Sequence, residues 1–182
     1  MIRTVEYIHP EDEAALRTME AIPGFAPAMK TLMRYYNEQM MHGVYMANKI
    51  RLSKNQLPNI YRKLLPLCEK LSINEPEFYL EMNPFPNATA FGDTRTMVTV
   101  TSGLLQYLTD EEVSSVIAHE CGHIACRHML YHSLAYTLVN RINDWGILGK
   151  AIYPVYLALQ YWSRRSELSA DRAAAVALGS AK

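Results

Sequence analysis

Two histidines four residues apart, with a glutamate directly after the first, make His119-Glu120-Cys121-Gly122-His123 the stretch of this sequence best suited to chemistry. On a helix of about 3.6 residues per turn, positions i and i+4 lie one above the other on a single face. His119 and His123 can therefore present two imidazole nitrogens to one metal ion. Glu120 sits about 100° around that helix, where a carboxylate reaches a water on the metal without becoming a ligand. The flanking Val116-Ile117-Ala118 and Ile124 are apolar or small and suit a buried helix.

His-Glu-x-x-His is a zinc-hydrolase pattern, but an open catalytic zinc site takes three protein ligands and a water. A metzincin would have a glycine at position 126 and a histidine at 129, where this chain has Cys126 and Met129. Read on as one helix, His128 lies about 180° around from His119, and His132 is similarly turned away from His123. Both are expected behind the site, on its substrate side, or as ordinary polar residues. Cys126 shares the face of His119 but lies about 10 Å along the axis, so ligation would be strained. Cys68 would parallel the upstream cysteine of peptide deformylase, yet Pro66-Leu67-Cys68-Glu69 lacks that family's Gly-Cys pair. Downstream, Glu167 and Asp171 are i and i+4 on a predicted helix, and like charges at that spacing repel on a free surface. Arg164, Arg165 and Arg172 would neutralise a merely solvated face. The sharper reading puts a cation there, with Glu167 as its ligand and Asp171 accepting a hydrogen bond from a ligand histidine.

The elements that must position these residues are legible from periodicity. His9-Pro10-Glu11-Asp12 opens a short amphipathic helix (Ala15, Leu16, Met19, Ile22) that stops at Pro23-Gly24. A longer helix over roughly residues 26–51 turns Met29, Leu32, Met33, Tyr36, Met40 and Val44 inward. Another, from Pro58 to Leu71, buries Tyr61, Leu64, Leu65, Cys68 and Leu71, and Pro66 should kink it. Glu77–Met82, Asn87–Phe91 and the alternating Thr96–Thr101 read as three short strands in succession. Ser102 can cap a short helix to Tyr107. Thr109 and Glu112 form a capping box that starts the helix carrying His119 and His123. The apolar stripe Trp145, Leu148, Ile152, Val155, Tyr156, Leu159 and Trp162 is broken by Lys150, Pro154 and Gln160. It falls short of the about 20 apolar residues of a membrane span, so a packed helix is expected, with peripheral membrane contact the lesser reading. An Ala-rich helix from Ser163 to Leu178 ends at Gly179.

The 182 residues, 49% of them hydrophobic, suit one domain with a real core. Eighteen basic and eighteen acidic side chains cancel, and no basic stripe marks a nucleic-acid partner. The N-terminus lacks the apolar stretch of a signal peptide, and the odd count of Cys68, Cys121 and Cys126 suits reduced thiols in a cytoplasmic compartment.

Taken in order, Asn87-Ala88-Thr89-Ala90, Thr101-Ser102-Gly103-Leu104-Leu105, His119–His123 and Ser166-Glu167-Leu168-Ser169-Ala170-Asp171-Arg172 resemble the HtpX and CAAX-prenyl-protease family. This is family forty-eight of the metallopeptidases, within the gluzincins, and the resemblance covers roughly residues 55–179. It implies His119, His123 and Glu167 as ligands of one Zn2+ per chain and Glu120 as general base toward a zinc-bound water. It also implies Asp171 as the partner behind a ligand histidine, and Asn87, Ala88, Thr89 and Ala90 as the edge along which a peptide substrate lies. The fold it implies is α+β: a mostly helical zincin-like domain with a small, largely antiparallel three-stranded sheet. Residues 56–182 would be the catalytic domain, cut short at its C-terminus relative to such proteins, with 1–55 a helical segment packed on it. The expected activity is that of a zinc metalloendopeptidase acting on peptides or proteins, resembling the soluble members of the family. The alternatives are a zinc-dependent binding or chaperone-like module without turnover and a deformylase-like amide hydrolase.

Overall fold

The computed structural model describes residues 6–25, 29, 38–141 and 146–179. Helix α1 spans Pro10–Glu20; His9 Nδ1 accepts from the Glu11 amide, and Pro10, with no donor to lose, takes the first position. Helix α2 (Glu38–Asn48) runs into β1 (Ile50–Arg51), and α3 covers Pro58–Leu71. Three strands follow: β2 (Glu77–Glu81), β3 (Ala88–Phe91) and β4 (Met97–Thr101). The rest is helical: α4 (Ser102–Tyr107), α5 (Asp110–Ala125), α6 (Met129–Arg141) and α7 (Gly146–Leu178).

Several expectations shift in detail. Leu32, Met33, Tyr36 and Trp145 lie outside the described residues. Met40 and Val44 are exposed, and Tyr45 packs inward instead, against Tyr79, Phe91 and Met97. In α3 the helix continues through Pro66, and the buried row is Leu64, Leu67, Cys68 and Leu71 rather than one including the exposed Leu65. Thr101, not Ser102, caps α4, its Oγ1 accepting from the Leu104 amide at 3.2 Å. The Thr109–Glu112 capping box of α5 is present as expected.

The sheet has four strands rather than three, because β1 adds to the outer side of β2. Its order is β1-β2-β4-β3, with β2 and β4 parallel and both outer pairings antiparallel. A meander would leave β4 at an edge. All five residues of β4 are buried, so it takes a central place. Ala88-Thr89-Ala90-Phe91, with Thr89 exposed, is left outermost as β3.

Besides the small Tyr45 cluster, two larger apolar cores result among the described residues. One lies between the sheet and α3, α4 and α5, and includes Leu64, Phe78, Val98, Ile117 and Ala173. The other joins α1, α6 and the first half of α7 through Met19, Leu134, Leu138, Leu159 and Trp162. The 33 residues of α7 form one helix through Pro154, where two separate patterns were expected, and it serves both cores. Gly179, at φ 73°, closes it. Among the described residues no helix is long and apolar enough to cross a membrane.

Candidate metal centre

Helices α5 and α7 approach closely at Gly122. A Cβ there would stand 2.8 Å from the Ala170 carbonyl oxygen and 3.0 Å from Ala173 Cβ. That approach sets His119 and His123, one turn apart on α5, opposite Glu167 and Asp171, one turn apart on α7. His119 Nε2 lies 3.1 Å from His123 Nε2 and 3.1 Å from Glu167 Oε2, and His123 Nε2 lies 3.5 Å from the same oxygen. Atoms about 2.1 Å from a tetrahedral zinc are about 3.4 Å from one another, so this triangle has the dimensions and the N,N,O chemistry of a zinc site. Asp171 Oδ1 stands 2.8 Å from His119 Nδ1, on the far side of the ring from the triangle.

The electrostatics suit a cation. The hydrogen bond to Glu167 pushes His119 up to about 9; burial opposes the rise, and Glu120 and Asp171 add to it. Burial would raise Glu167, but hydrogen bonds from His119 and His123 outweigh it and hold the carboxyl well below the usual range.

Glu120 is 8% exposed. Burial raises its pKa, against the pull of His123, His119 and a hydrogen bond from the Ala90 backbone. That last contact ties the glutamate to β3. Ala88, Thr89 and Ala90 lie in β3, which among the described residues pairs on one side, with β4. Asn87 falls just before the strand, its amide donating to Thr101 Oγ1 at 2.9 Å.

His128 and His132 lie nearer His123 than one continuous helix would put them, and His128 stands behind that ring as one of the expected placements had it. Helix α5 does not run on past them: Cys126 caps it, and Arg127 takes φ 61°. The amides of Arg127 and His128 bond back to the Ile124 and His123 carbonyls, both at 3.0 Å. This is a helix stop usually marked by glycine, and without a glycine no sequence signal announced it. The chain folds back, so His128 Nδ1 lies 3.0 Å from His123 Nδ1, and the His132 ring meets that of His123 edge-on, centroids 4.9 Å apart. Burial, helped by His123 and His128, pushes His132 down to about 3; its Nε2 lies 2.9 Å from Ser166 Oγ. Asp12, read only as a first-turn acid, is 3% exposed and lies against His128, Trp162 and Ser169. Its neighbours Glu11 and Glu13 are exposed, and nothing in the sequence set it apart. Cys68 is buried, its free thiol hydrogen-bonded with that of Cys121.

The family description "Peptidase family M48" matches residues 54–182, which contain all of the residues just placed except Asp12. Among curated proteins the chain is similar to "Plastoglobule-localized metallopeptidase 48, chloroplastic" of Arabidopsis thaliana. The two are 31% identical over 172 residues, 93% of this chain and 50% of that protein. It is also 33% identical to a "Protease HtpX homolog" of Persephonella marina over 121 residues, 65% of this chain and 41% of that one. A "Protease HtpX homolog" of Nostoc sp. is 32% identical over 122 residues, 66% of this chain and 42% of that one. The chain thus spans half or less of the relatives it matches. A match running unbroken from residue 54 to the last residue covers well over half of the sequence, and the chain belongs to peptidase family M48.

Proposed function

We propose that this chain carries the catalytic centre of a zinc-dependent metalloendopeptidase, with His119, His123 and Glu167 holding one zinc ion. The observation that carries the reading is the triangle of 3.1, 3.1 and 3.5 Å between the three ligand atoms, with Glu120 beside it. Held there, zinc would supply an activated water near neutral pH and polarise a carbonyl. Asp171, accepting from His119 Nδ1, keeps the Nε2 lone pair of that ring directed into the site. Glu120 takes the proton of the attacking water and returns it to the leaving amine. A hydrogen bond from the Ala90 backbone fixes its aim. The unpaired side of β3, at Asn87, Ala88, Thr89 and Ala90, receives the substrate as an added strand.

Glu120→Gln is the test. It should keep the zinc and lose peptidase activity by about 10²- to 10⁴-fold, the usual worth of a general base. Undiminished cleavage by a zinc-loaded variant sinks the assignment. A deformylase-like site on Cys68 has no support, since that thiol faces Cys121 inside the core.

The free thiols support a reducing compartment. Peripheral membrane contact is supported by Tyr153, Leu157 and Tyr161, each about half exposed at helical spacing along α7. Sedimentation with anionic vesicles that persists in Tyr153→Ser/Leu157→Ser/Tyr161→Ser would remove that support.

A further inference from the structure

A line of buried polar groups leads away from the proposed zinc site and ends on the first helix. His123 turns Nε2 toward Glu167 and His119, and its other nitrogen, Nδ1, lies 3.0 Å from His128 Nδ1. His128 Nε2 lies 2.9 Å from Asp12 Oδ2. Asp12 is held in turn by Ser169 Oγ at 2.6 Å and by Trp162 Nε1 at 3.0 Å, and Ser169 accepts from the His9 amide at 2.9 Å. Asp12, His128, Ser169 and Trp162 are all 4% exposed or less.

Proton bookkeeping along this line has one solution that leaves a ligand free. A carboxylate only accepts, so His128 Nε2 carries a hydrogen. The two facing Nδ1 atoms share one proton. If it sat on His128, that ring would be an imidazolium and His123 would carry its hydrogen on Nε2, pointing into the metal site. If it sits on His123, Nδ1–H donates to His128 and Nε2 presents its lone pair. We infer that Asp12 is a positioning residue of the metal centre: through His128 it fixes the tautomer and ring orientation of His123. The inference rests on the zinc site proposed above. It gives the two ligand histidines separate carboxylate supports of different kinds. Asp171 on α7 holds His119 and is largely exposed, whereas Asp12 on α1 holds His123 through an imidazole and is buried. Asp12 also lies outside residues 54–182, so part of the apparatus of the site comes from the segment before the family match.

Two simpler readings compete. Asp12 could only pin α1 to α7, for which Trp162 and Ser169 suffice. Alternatively His123, His128 and His132, whose nitrogens also cluster, could hold a second metal. Against that, His128 Nε2 is already bonded to Asp12 and His132 Nε2 to Ser166.

The test uses the full chain, with zinc affinity measured by competition with a chromophoric chelator and imidazole protons located by long-range 1H–15N NMR. In the zinc-loaded wild type, His123 should carry its hydrogen on Nδ1 and His128 on Nε2. Asp12→Asn, which replaces an acceptor by a donor, and His128→Phe should each weaken zinc binding about tenfold, the range for lost outer partners. The double variant should fall no further than the worse single, because both break one line. Met19→Ala, which loosens the packing of α1 without touching Asp12 or His128, should lower the melting temperature of the metal-free protein and leave zinc affinity unchanged. Unaltered affinity in Asp12→Asn, additive losses, or a His128 hydrogen on Nδ1 overturns the inference, as does a second equivalent of bound zinc. A wild type that binds no zinc overturns the zinc site along with it. Should Asp12→Asn fail to fold, the wild-type tautomers decide.

Discussion

Among single residues, the roles separate by what each loss leaves behind. Glu167→Ala removes one corner of the triangle and leaves two histidines, so zinc affinity should fall well beyond the roughly 10- to 100-fold that an outer partner is worth. Asp171→Asn should stay within that range, since the Asp171 side chain is exposed and water can take its place. Cys68→Ser should not change zinc binding at all, and a chelator titration of the three variants ranks them. Equal losses for Glu167→Ala and Asp171→Asn would mean that neither carboxylate is a ligand. The residues in this comparison were legible in the sequence because their signals are local: i and i+4 spacing survives any arrangement of the rest of the chain. Asp12 and His128 were not legible, because each depends on a turn or a contact that no short pattern encodes. His128 needed the helix stop at Arg127, and Asp12 needed a neighbour 116 residues away.

Elements show the same division. Capping box, helix starts and strand runs are written in neighbouring residues, whereas the central place of β4 follows only from which strand can be buried on both faces. Close approach between elements is likewise invisible until both are placed, and Gly122 tests it. In an open helix, Gly→Ala gains about 1 kcal/mol of propensity. Gly43 in α2, with nothing within 4 Å, should behave that way and stabilise the protein. At Gly122 the new methyl would meet backbone atoms of Ala170 at 2.8 and 3.0 Å, and overpacking of about 1–3 kcal/mol outweighs the gain. Gly122→Ala should therefore lower stability and also weaken zinc binding, because it levers α7, with Glu167, away from the α5 histidines. Denaturant melts and zinc titration of both variants check the opposite signs. At the sheet, burial would raise the pKa of Glu77, but bonds from Tyr79, Arg95 and His42 outweigh it and hold it below 4.5. A carboxyl lowered on folding stabilises above its unfolded pKa, and that stability is lost as pH falls through the folded one. The deficit of Glu77→Gln relative to wild type should thus be full at neutral pH and shrink in acid. A deficit constant over that range would contradict the assignment.

Over the whole molecule, α7 is shared by two cores, and the proposed zinc ligands sit where it passes from one to the other. Trp162 and the residues before it belong to the core with α1 and α6, Ala173 and those after it to the core with the sheet, and Glu167 lies between. The N-terminal helix is then more than a cover: its Ala15 and Met19 complete the first core, and Asp12 reaches toward His123. Because one continuous helix ties both cores to the site, they should unfold together and release zinc as they do. Met19→Ala tests this away from the site, since Met19 is 2% exposed in the first core. Its truncation should cost about 2–5 kcal/mol. If the molecule is one cooperative unit, the whole transition moves to lower denaturant, and loss of helix, loss of aromatic CD and zinc release stay superimposed. The extra stability that zinc confers depends on affinity alone, so it should be the same in Met19→Ala as in wild type at equal free zinc. Zinc retained after the helical signal has begun to fall would instead show that the sheet-side core holds the site by itself, and that the first 50 residues only lean on it.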